Sequence, residues 1–540
     1  MKTNIILKSI AAAAFCIAVL GGCTANFEDW NTNKHEATAE QMEQDNLFTG
    51  ALFAQMERSV ILYAGAFKNG DSDILDSDYQ ITYNLLSEIY GGYFAPTNSF
   101  DSNGNHTGAY NMTSKPGWIR AMFAYKYNGT MSAYSTFMEK AEELGQDAVI
   151  AMGNIVKVFS MHQVTDYYGP IPYTKYGQSI NAEYDSQETV YKAMLAELDE
   201  AIEALEAFAN AGNTTILEGY DYIYDGNVVS WIKLANSLRL RLAMRIVYAD
   251  ATLAKTEAEK SVADSYGVLT ASGDAASLSH TMLTYHHPIW EITNNFNDGD
   301  THRTASMDVY LNGYADPRRA VYWQAANDGG YHGVRLGVIT STWDAYGNAA
   351  NNVSKANIGS SSPITWMTAS EVYFLRSEGA LRGWNMGGTA KALYEEGIKV
   401  SFEEAGVSGA DAYIANATAT PAAFVDKAGT SSTAALSSVT IAWDESASDE
   451  VKLEKIITQK WIAMFPNGCE AWAEFRRTGY PKLLPVVTNN SGGAISTDTQ
   501  IRRIPFPDTE YDTNAGEVAK AVSLLGGSDN GGTKLWWDKK

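Results

Sequence analysis

The stretch His162-Gln163-Val164-Thr165-Asp166-Tyr167-Tyr168-Gly169-Pro170-Ile171-Pro172-Tyr173 limits what this chain can become more than any other. Upstream of it, Asp147 to Phe159 has helical spacing, with Met152, Ile155, Val156 and Phe159 available for one face. Gly169 interrupts that period. Pro170 and Pro172 fix φ and push the residue before each towards extended backbone. Tyr167, Tyr168 and Tyr173 are rings able to staple the turn to whatever covers it. A second helix opens at Asp185-Ser186-Gln187-Glu188, an N-cap with an acid three residues later. Its Val190, Met194, Leu198, Ile202 and Leu205 follow at spacings of four, four, four and three. Helix, rigid turn and amphipathic helix predict an antiparallel hairpin.

The same theme recurs. Helix pairs are expected around 148–208, 228–247, 370–402 and 451–478, and a further helix over 40–65 with Met42, Leu47, Leu52, Met56, Val60 and Leu62 as core positions. In the block from Trp231 to Arg245, Trp231, Leu234, Leu238 and Leu242 lie on one stripe. Arg239, Arg241 and Arg245 are spread around that helix, where pairing with carboxylates on adjacent helices is their expected use. Tyr79 to Tyr90 also has helical spacing. The Gly/Ser/Thr/Ala-rich runs 404–449 and 488–499 are expected as surface loops. A hydrophobic share of 45% over 540 residues suffices for a proper core, and no leftover region is large enough for a second domain.

Met1 to Cys23 has the form of a signal peptide: Lys2 and Lys8, then a short apolar run from Ile10 to Leu20. It ends in Leu20-Gly21-Gly22-Cys23, which resembles a bacterial lipobox. Residues 1–22 are therefore expected to be removed, Cys23 to carry lipid, and 23–39 to act as a tether to a domain over 40–540. Glu28 and Asp29 resemble an acidic surface-export signal. Cleavage would leave Cys23 and Cys469, and so no intramolecular disulfide; Cys469 reads as a small packed residue.

A net charge of −23 without a basic stretch argues against nucleic acid as a partner. Asp71, Asp73, Asp76 and Asp78 bring four carboxylates together, but the Gly of an EF-hand is not in its place; a solvated acidic loop is expected, with calcium left open. His280, His286, His287 and His302 lack zinc-ligand spacing. No nucleophile elbow, Walker loop or dinucleotide fingerprint is present. A glycosidase needs only two carboxylates, so motif absence does not exclude one.

The Thr165-Asp166-x-Tyr168-Gly169-x-Ile171-Pro172-Tyr173 turn followed by Tyr184-Asp185-Ser186-Gln187-Glu188 resembles the SusD/RagB family of nutrient-binding outer-membrane lipoproteins. Further matches come in family order: Trp231 to Arg245, close to the variant group whose helix reads Trp-x-Lys-x-Ala-Asn-Ser-Leu-Arg-Leu-Arg; Asp316-Pro317-Arg318; Glu371 to Glu378; Glu470-Ala471-Trp472; Arg476 to Pro481; Arg502 to Pro507; and Trp536-Trp537-Asp538. Lys34 stands where the family has proline, and Ser377 where it has Ala.

The resemblance implies a mainly α, SusD-like fold of tetratricopeptide-type helical hairpins, with loop-rich insertions forming the ligand face. The corresponding places are 79–118 and 285–325. Candidate contacts are Tyr90, Tyr93 and Trp118 from the first, and Trp290, Asn295, Phe296, Asp298 and Arg303 from the second; Arg303 is also a candidate framework residue near Asp316. The resemblance further implies a cell-surface protein, anchored in the outer membrane through Cys23, that binds an oligosaccharide or a peptide. It would deliver this nutrient to a SusC-like TonB-dependent transporter by lid motion, without cofactor or covalent chemistry. A surface glycan hydrolase and a structural or adhesive lipoprotein are the alternatives.

Overall fold

Packing of apolar stripes decides the architecture, and most of the long helices follow the expected spans. The computed structural model describes residues 46–63, 76–98, 100, 106–280, 282–294, 300–338 and 352–540. The expected signal peptide, Cys23, the tether, Asp71, Asp73, Asn295, Phe296 and Asp298 lie outside the described residues. Ala51–Lys540 form one unit distinct from Met1–Gly50.

The helices that build the hairpins and their neighbours are α1 (Leu47–Val60), α2 (Pro116–Lys126), α3 (Ser132–Glu143), α4 (Asp147–Tyr168), α5 (Gln187–Asn210), α6 (Val228–Arg245), α7 (Ala251–Ala263), α8 (Ala369–Leu381), α9 (Ala390–Glu404), α10 (Asp449–Ala463) and α11 (Gly468–Thr478), with further helices such as Ala305–Gly313 and Ala515–Leu525. Between α1 and α2, Gln80–Glu88 is wound as a π-helix. The pairs α4–α5, α6–α7 and α8–α9 are hairpins, and α5–α6, α6–α8 and α8–α10 pack in sequence beside them. The fourth expected pair behaves differently: α11 turns away from α10 and packs against the π-helix and α6. Residues 404–449 are not simply a surface loop. They include the short helix Ala410–Ile414, and Phe424 and Ile441 are buried.

Helix α4 runs nine residues beyond Phe159, because it is buried on nearly every side and so shows no amphipathic period. Gly169, at φ +86°, ends it; a Cβ there would lie 3.1 Å from Leu525 and Leu535. The cap of α5 is Ser186, whose Oγ accepts from Thr189 N at 3.1 Å, one residue later than expected. Asp185 instead closes the turn, accepting from Thr174 N at 2.7 Å. The turn tyrosines are tied down: Tyr167 donates to Thr82 O at 2.9 Å, Tyr168 to Ile119 O at 2.6 Å and Tyr173 to Glu197 at 2.6 Å.

Arginines sewn between helices hold the hairpins together, as their spread around α6 predicts. Arg239 bonds Asp199 and Glu257. Arg241 grips Glu371 of α8 with two bonds of 2.9 and 2.7 Å. Arg245 pairs with Glu470 of α11. Arg477 is bidentate to Glu378 at 2.7 and 2.6 Å and also bonds Glu474. Such charges, taken out of water, hold only when paired in this way. The chain's last residues complete the core: Trp537 Nε1 donates to Asp166 at 2.9 Å, and Arg502 clasps Asp538 at 2.7 and 2.5 Å.

Two short antiparallel ribbons stand outside the hairpins. Strand β1 (Phe94–Pro96), β2 (Ala276–Leu278), β3 (Thr301–Arg303) and β4 (Ile364–Met367) pair as β1–β3 and β2–β4.

Candidate ligand-binding face

The β1–β3 ribbon brings the two ring-bearing insertions to one place. Its register sets Phe94 against Arg303, Ala95 against His302 and Pro96 against Thr301. Pairing continues past the strands: Thr97 N donates to Asp300 O at 2.7 Å. The Asp300 carboxylate accepts from Asn98 Nδ2 at 2.6 Å and from Gln80 Nε2 at 2.8 Å. These bonds anchor the roots of both insertions on the π-helix.

At the β1 end, Asn98 Oδ1 accepts from Phe100 N at 3.1 Å, a short Asx turn with Phe100 at φ +46°. The Phe100 ring meets Trp118 edge-on at 5.2 Å and His106 at 5.7 Å. Lys115 Nζ lies 5.7 Å from the Trp118 ring. Beyond β2, the short helix Pro288–Asn294 packs on β3 and the π-helix. It carries Trp290, whose ring meets His286 edge-on at 5.2 Å; His286 in turn pairs with Glu291. Trp118 and Trp290 are both half-buried. Each combines a fixed ring with neighbouring polar groups, which suits a ligand with apolar faces and a polar rim.

Three sequence candidates do not belong to this face. Tyr90 and Tyr93 are buried. Tyr90 donates to Thr107 O at 3.1 Å and packs on Trp472. Tyr93 donates to Trp461 O at 2.6 Å and stacks on that indole. Neither ring offers a face: Tyr90 ends the helical spacing of 79–90, and Tyr93, past Gly91-Gly92, is enclosed by Trp461 and Phe465. Arg303 is fully buried too, and it pairs with Asp308 at 2.9 Å; Asp316 is taken by Arg318. Phe100, His286 and Asp300 were not among the candidate contacts. An Asn two residues before the Phe100 ring is a sequence signal for the first, whereas Asp300 is recognisable only once the ribbon is formed.

The titratable groups among the described residues are mostly buried and bonded within the protein. Burial pushes the Cys469 thiol up to about 12, with Ser87 Oγ at 3.5 Å. Burial lowers His287 and His302 to about 3, leaving both neutral. No group of three His, Cys, Asp or Glu side chains is placed to hold a metal; Asp78, the described end of the acidic run, accepts from Tyr125 at 2.5 Å. A cleft of about 340 Å3 beneath β4 is lined by Tyr79, Phe159, His162, Trp366 and Glu404 among others. Its carboxyls already have partners: Glu88 bonds Tyr79 and Asn84, and Glu404 bonds Ser370. Burial pushes both up to about 7. No described helix is long and apolar enough to cross a membrane.

Comparison with known proteins agrees over nearly the whole chain. Residues 29–538 match the SusD-like family model, described as SusD and RagB outer membrane lipoprotein. A chitin-binding SusD homologue from Flavobacterium johnsoniae shares 42% identity at a TM-score of 0.85, covering 91% of this chain and 99% of its own. A SusD homologue from Bacteroides uniformis shares 39% at 0.83, with the same coverage. One from Bacteroides thetaiotaomicron shares 37% at 0.81, again over 91% and 99%. No curated protein gives a match. With its hairpins, its insertions and its buried turn all in family order, the chain belongs to the SusD/RagB family of outer-membrane lipoproteins.

Proposed function

We propose that this protein is a cell-surface lipoprotein that captures an oligosaccharide on the β1–β3 face and hands it to a SusC-like TonB-dependent transporter. The observation that carries the reading is the β1–β3 pairing. It joins two ring-bearing insertions outside the hairpins, where Trp118 and Trp290 remain half-buried. Sugars present apolar C–H faces ringed by hydroxyls, and half-exposed indoles beside Asn, Asp and His are matched to both. The chitin-binding relative makes β-1,4-linked N-acetylglucosamine oligomers the first ligands to test. Capture and release by movement of a lid, without bond cleavage, are the mechanism. Lipid on Cys23 is the proposed anchor.

Calorimetric titration with chitohexaose, maltohexaose and a set of short peptides tests the ligand class. At least one oligosaccharide is expected to bind, and Trp290→Ala to weaken it about tenfold or more. Binding of peptides alone would replace the glycan reading, and cleavage of chitohexaose during titration would replace it with a hydrolase. Pull-down from mildly solubilised outer membrane is expected to recover a large TonB-dependent barrel; recovery of the lipoprotein alone would remove the transport role.

A further inference from the structure

A second concavity shares the first turn of α2 with Trp118. Pro116 and Ile119 of that turn help to line it, and its volume is about 360 Å3, within the ~300–1,000 Å3 range of small-molecule sites. Its floor is apolar: Met112, Ile119, Ile495 and Phe506 are all buried. At its edge stands Tyr511, 43% exposed and one of the few large apolar side chains so open to solvent. Tyr511 is not loose. Its hydroxyl donates to Asp529 Oδ2 at 2.8 Å. Asp529 is itself held by Arg503 and by Phe506 N at 3.1 Å. The ring is thus fixed in orientation and remains partly open, which a purely packed tyrosine does not require.

The rim has hydrogen-bonding groups of both kinds. Asn530 Oδ1 accepts from Gly532 N at 2.8 Å, which leaves its Nδ2 hydrogens to a ligand. Asp508 is half exposed and only 3.7 Å from the equally exposed Arg120, so its oxygens are accessible acceptors. Asp508 and Asp529 each face an arginine, Arg120 and Arg503, so the rim carries no excess charge and suits a neutral ligand. A neutral ring with one apolar face, a donor edge and an acceptor edge fits.

We propose that this concavity is a second carbohydrate subsite, taking one pyranose ring of a neutral oligosaccharide with its C–H face on Tyr511 and its polar groups on Asn530 and Asp508. The inference rests on the glycan reading above. Trp118 lies on the same helical turn as Pro116 and Ile119, so the Phe100–Trp118 cluster and this concavity share the start of α2. Two linked contacts raise the affinity of long chains over short ones without new chemistry.

Hydrogen exchange of the full-length protein with N,N′-diacetylchitobiose, together with titration against chitobiose and chitohexaose, tests this. In Trp290→Ala, chitobiose is expected still to slow exchange across 505–511 and 529–531, and this protection is lost in Tyr511→Ala. Chitohexaose is expected to bind wild type at least tenfold tighter than chitobiose, a ratio that drops to within about threefold in Tyr511→Ala. Tyr511→Phe, which keeps the ring and loses the Asp529 bond, retains most of the protection. Protection at 288–294 without any at 505–511 would overturn the subsite and leave the first face standing. Binding of neither saccharide, with protection nowhere, overturns both. Protection of 505–511 by a hydrophobic tripeptide but not by chitobiose overturns the carbohydrate assignment in favour of a peptide groove.

Discussion

The charge network among α6, α8, α10 and α11 and the β1–β3 face answer to different demands. In the network, every group has its partner inside the protein: Arg241 with Glu371, Arg245 with Glu470, Arg477 with Glu378 and Glu474. At the ribbon face, Trp118 and Trp290 remain half-buried, and only their orientation is fixed from within. The residues by which the family is recognised belong to the first kind. Asp166, Glu371, Glu378, Glu470 and Arg477 are all buried. A family signature can therefore be framework rather than binding site.

The largest effect that separates the two regions is expected from Arg477→Met. It takes from Glu378 its bidentate partner, leaving Arg382, and from Glu474 its hydrogen-bonded cation, and is expected to cost about 3 kcal/mol, read as a fall in the urea midpoint. Ligand affinity of the molecules that remain folded stays unchanged. The pair also has a pH signature. Burial alone would raise Glu378, but Arg477 and Arg382 hold it down to about 2. A carboxyl depressed in the folded state adds stability that is full above its unfolded value near ~4.3 and is lost as pH falls towards 2. Arg477→Met should flatten that acid limb in a pH series of unfolding curves.

Next in size, Trp290→Ala inverts the pattern. Affinity for a bound oligosaccharide falls about tenfold or more, while the thermal midpoint moves little. An equal loss of stability would make Trp290 another framework ring and dissolve the distinction. Tyr93→Phe is a smaller test from the other side. Losing the bond to Trp461 O costs about 1 kcal/mol of stability and leaves titration with chitohexaose unaltered. Loss of affinity in this variant would return Tyr93 to the ligand face.

Glu57→Gln should have the smallest effect. Burial and the neighbouring Asp221 carboxylate hold Glu57 well above the ordinary carboxyl range, and its Oε2 accepts from Tyr222 N at 2.8 Å. A raised folded value means stability is present at low pH and lost as pH rises through that value. The glutamine carries its donor at every pH. The variant is expected to match wild type near pH 5 and to exceed it near pH 9 in thermal unfolding.

Much of the framework was legible because its determinants are local. Val190, Met194, Leu198, Ile202 and Leu205 announce one face of α5, and all five are buried. The arginines of α6 announce partners on neighbouring helices. Helix α4 was foreseen only to Phe159, since a helix enclosed on all sides shows no polar face to count against. The ribbon was not legible: strands of three residues give no period, and their pairing spans some two hundred positions. For Tyr90, ring composition suggested contact while helical spacing suggested core, and the spacing decided; Tyr93 follows Gly91-Gly92 in loop-like sequence, and only its distant partner Trp461 accounts for its burial. Arg303 found Asp308 five residues on, within its own turn-helix segment, instead of Asp316.

The closure of the core by its last residues bears on when the protein can fold. Asp166 lies in the last turn of α4, yet its indole partner is Trp537, 371 positions downstream. Arg476, which donates to Asp166 O at 2.6 Å, also arrives late. A chain emerging N-terminus first can give Asp166 its Tyr191 and Arg245 partners early but its indole only late, and contacts at such separation form slowly. Chains arrested before residue 530 should accordingly stay protease-sensitive, and full-length chains become resistant on release.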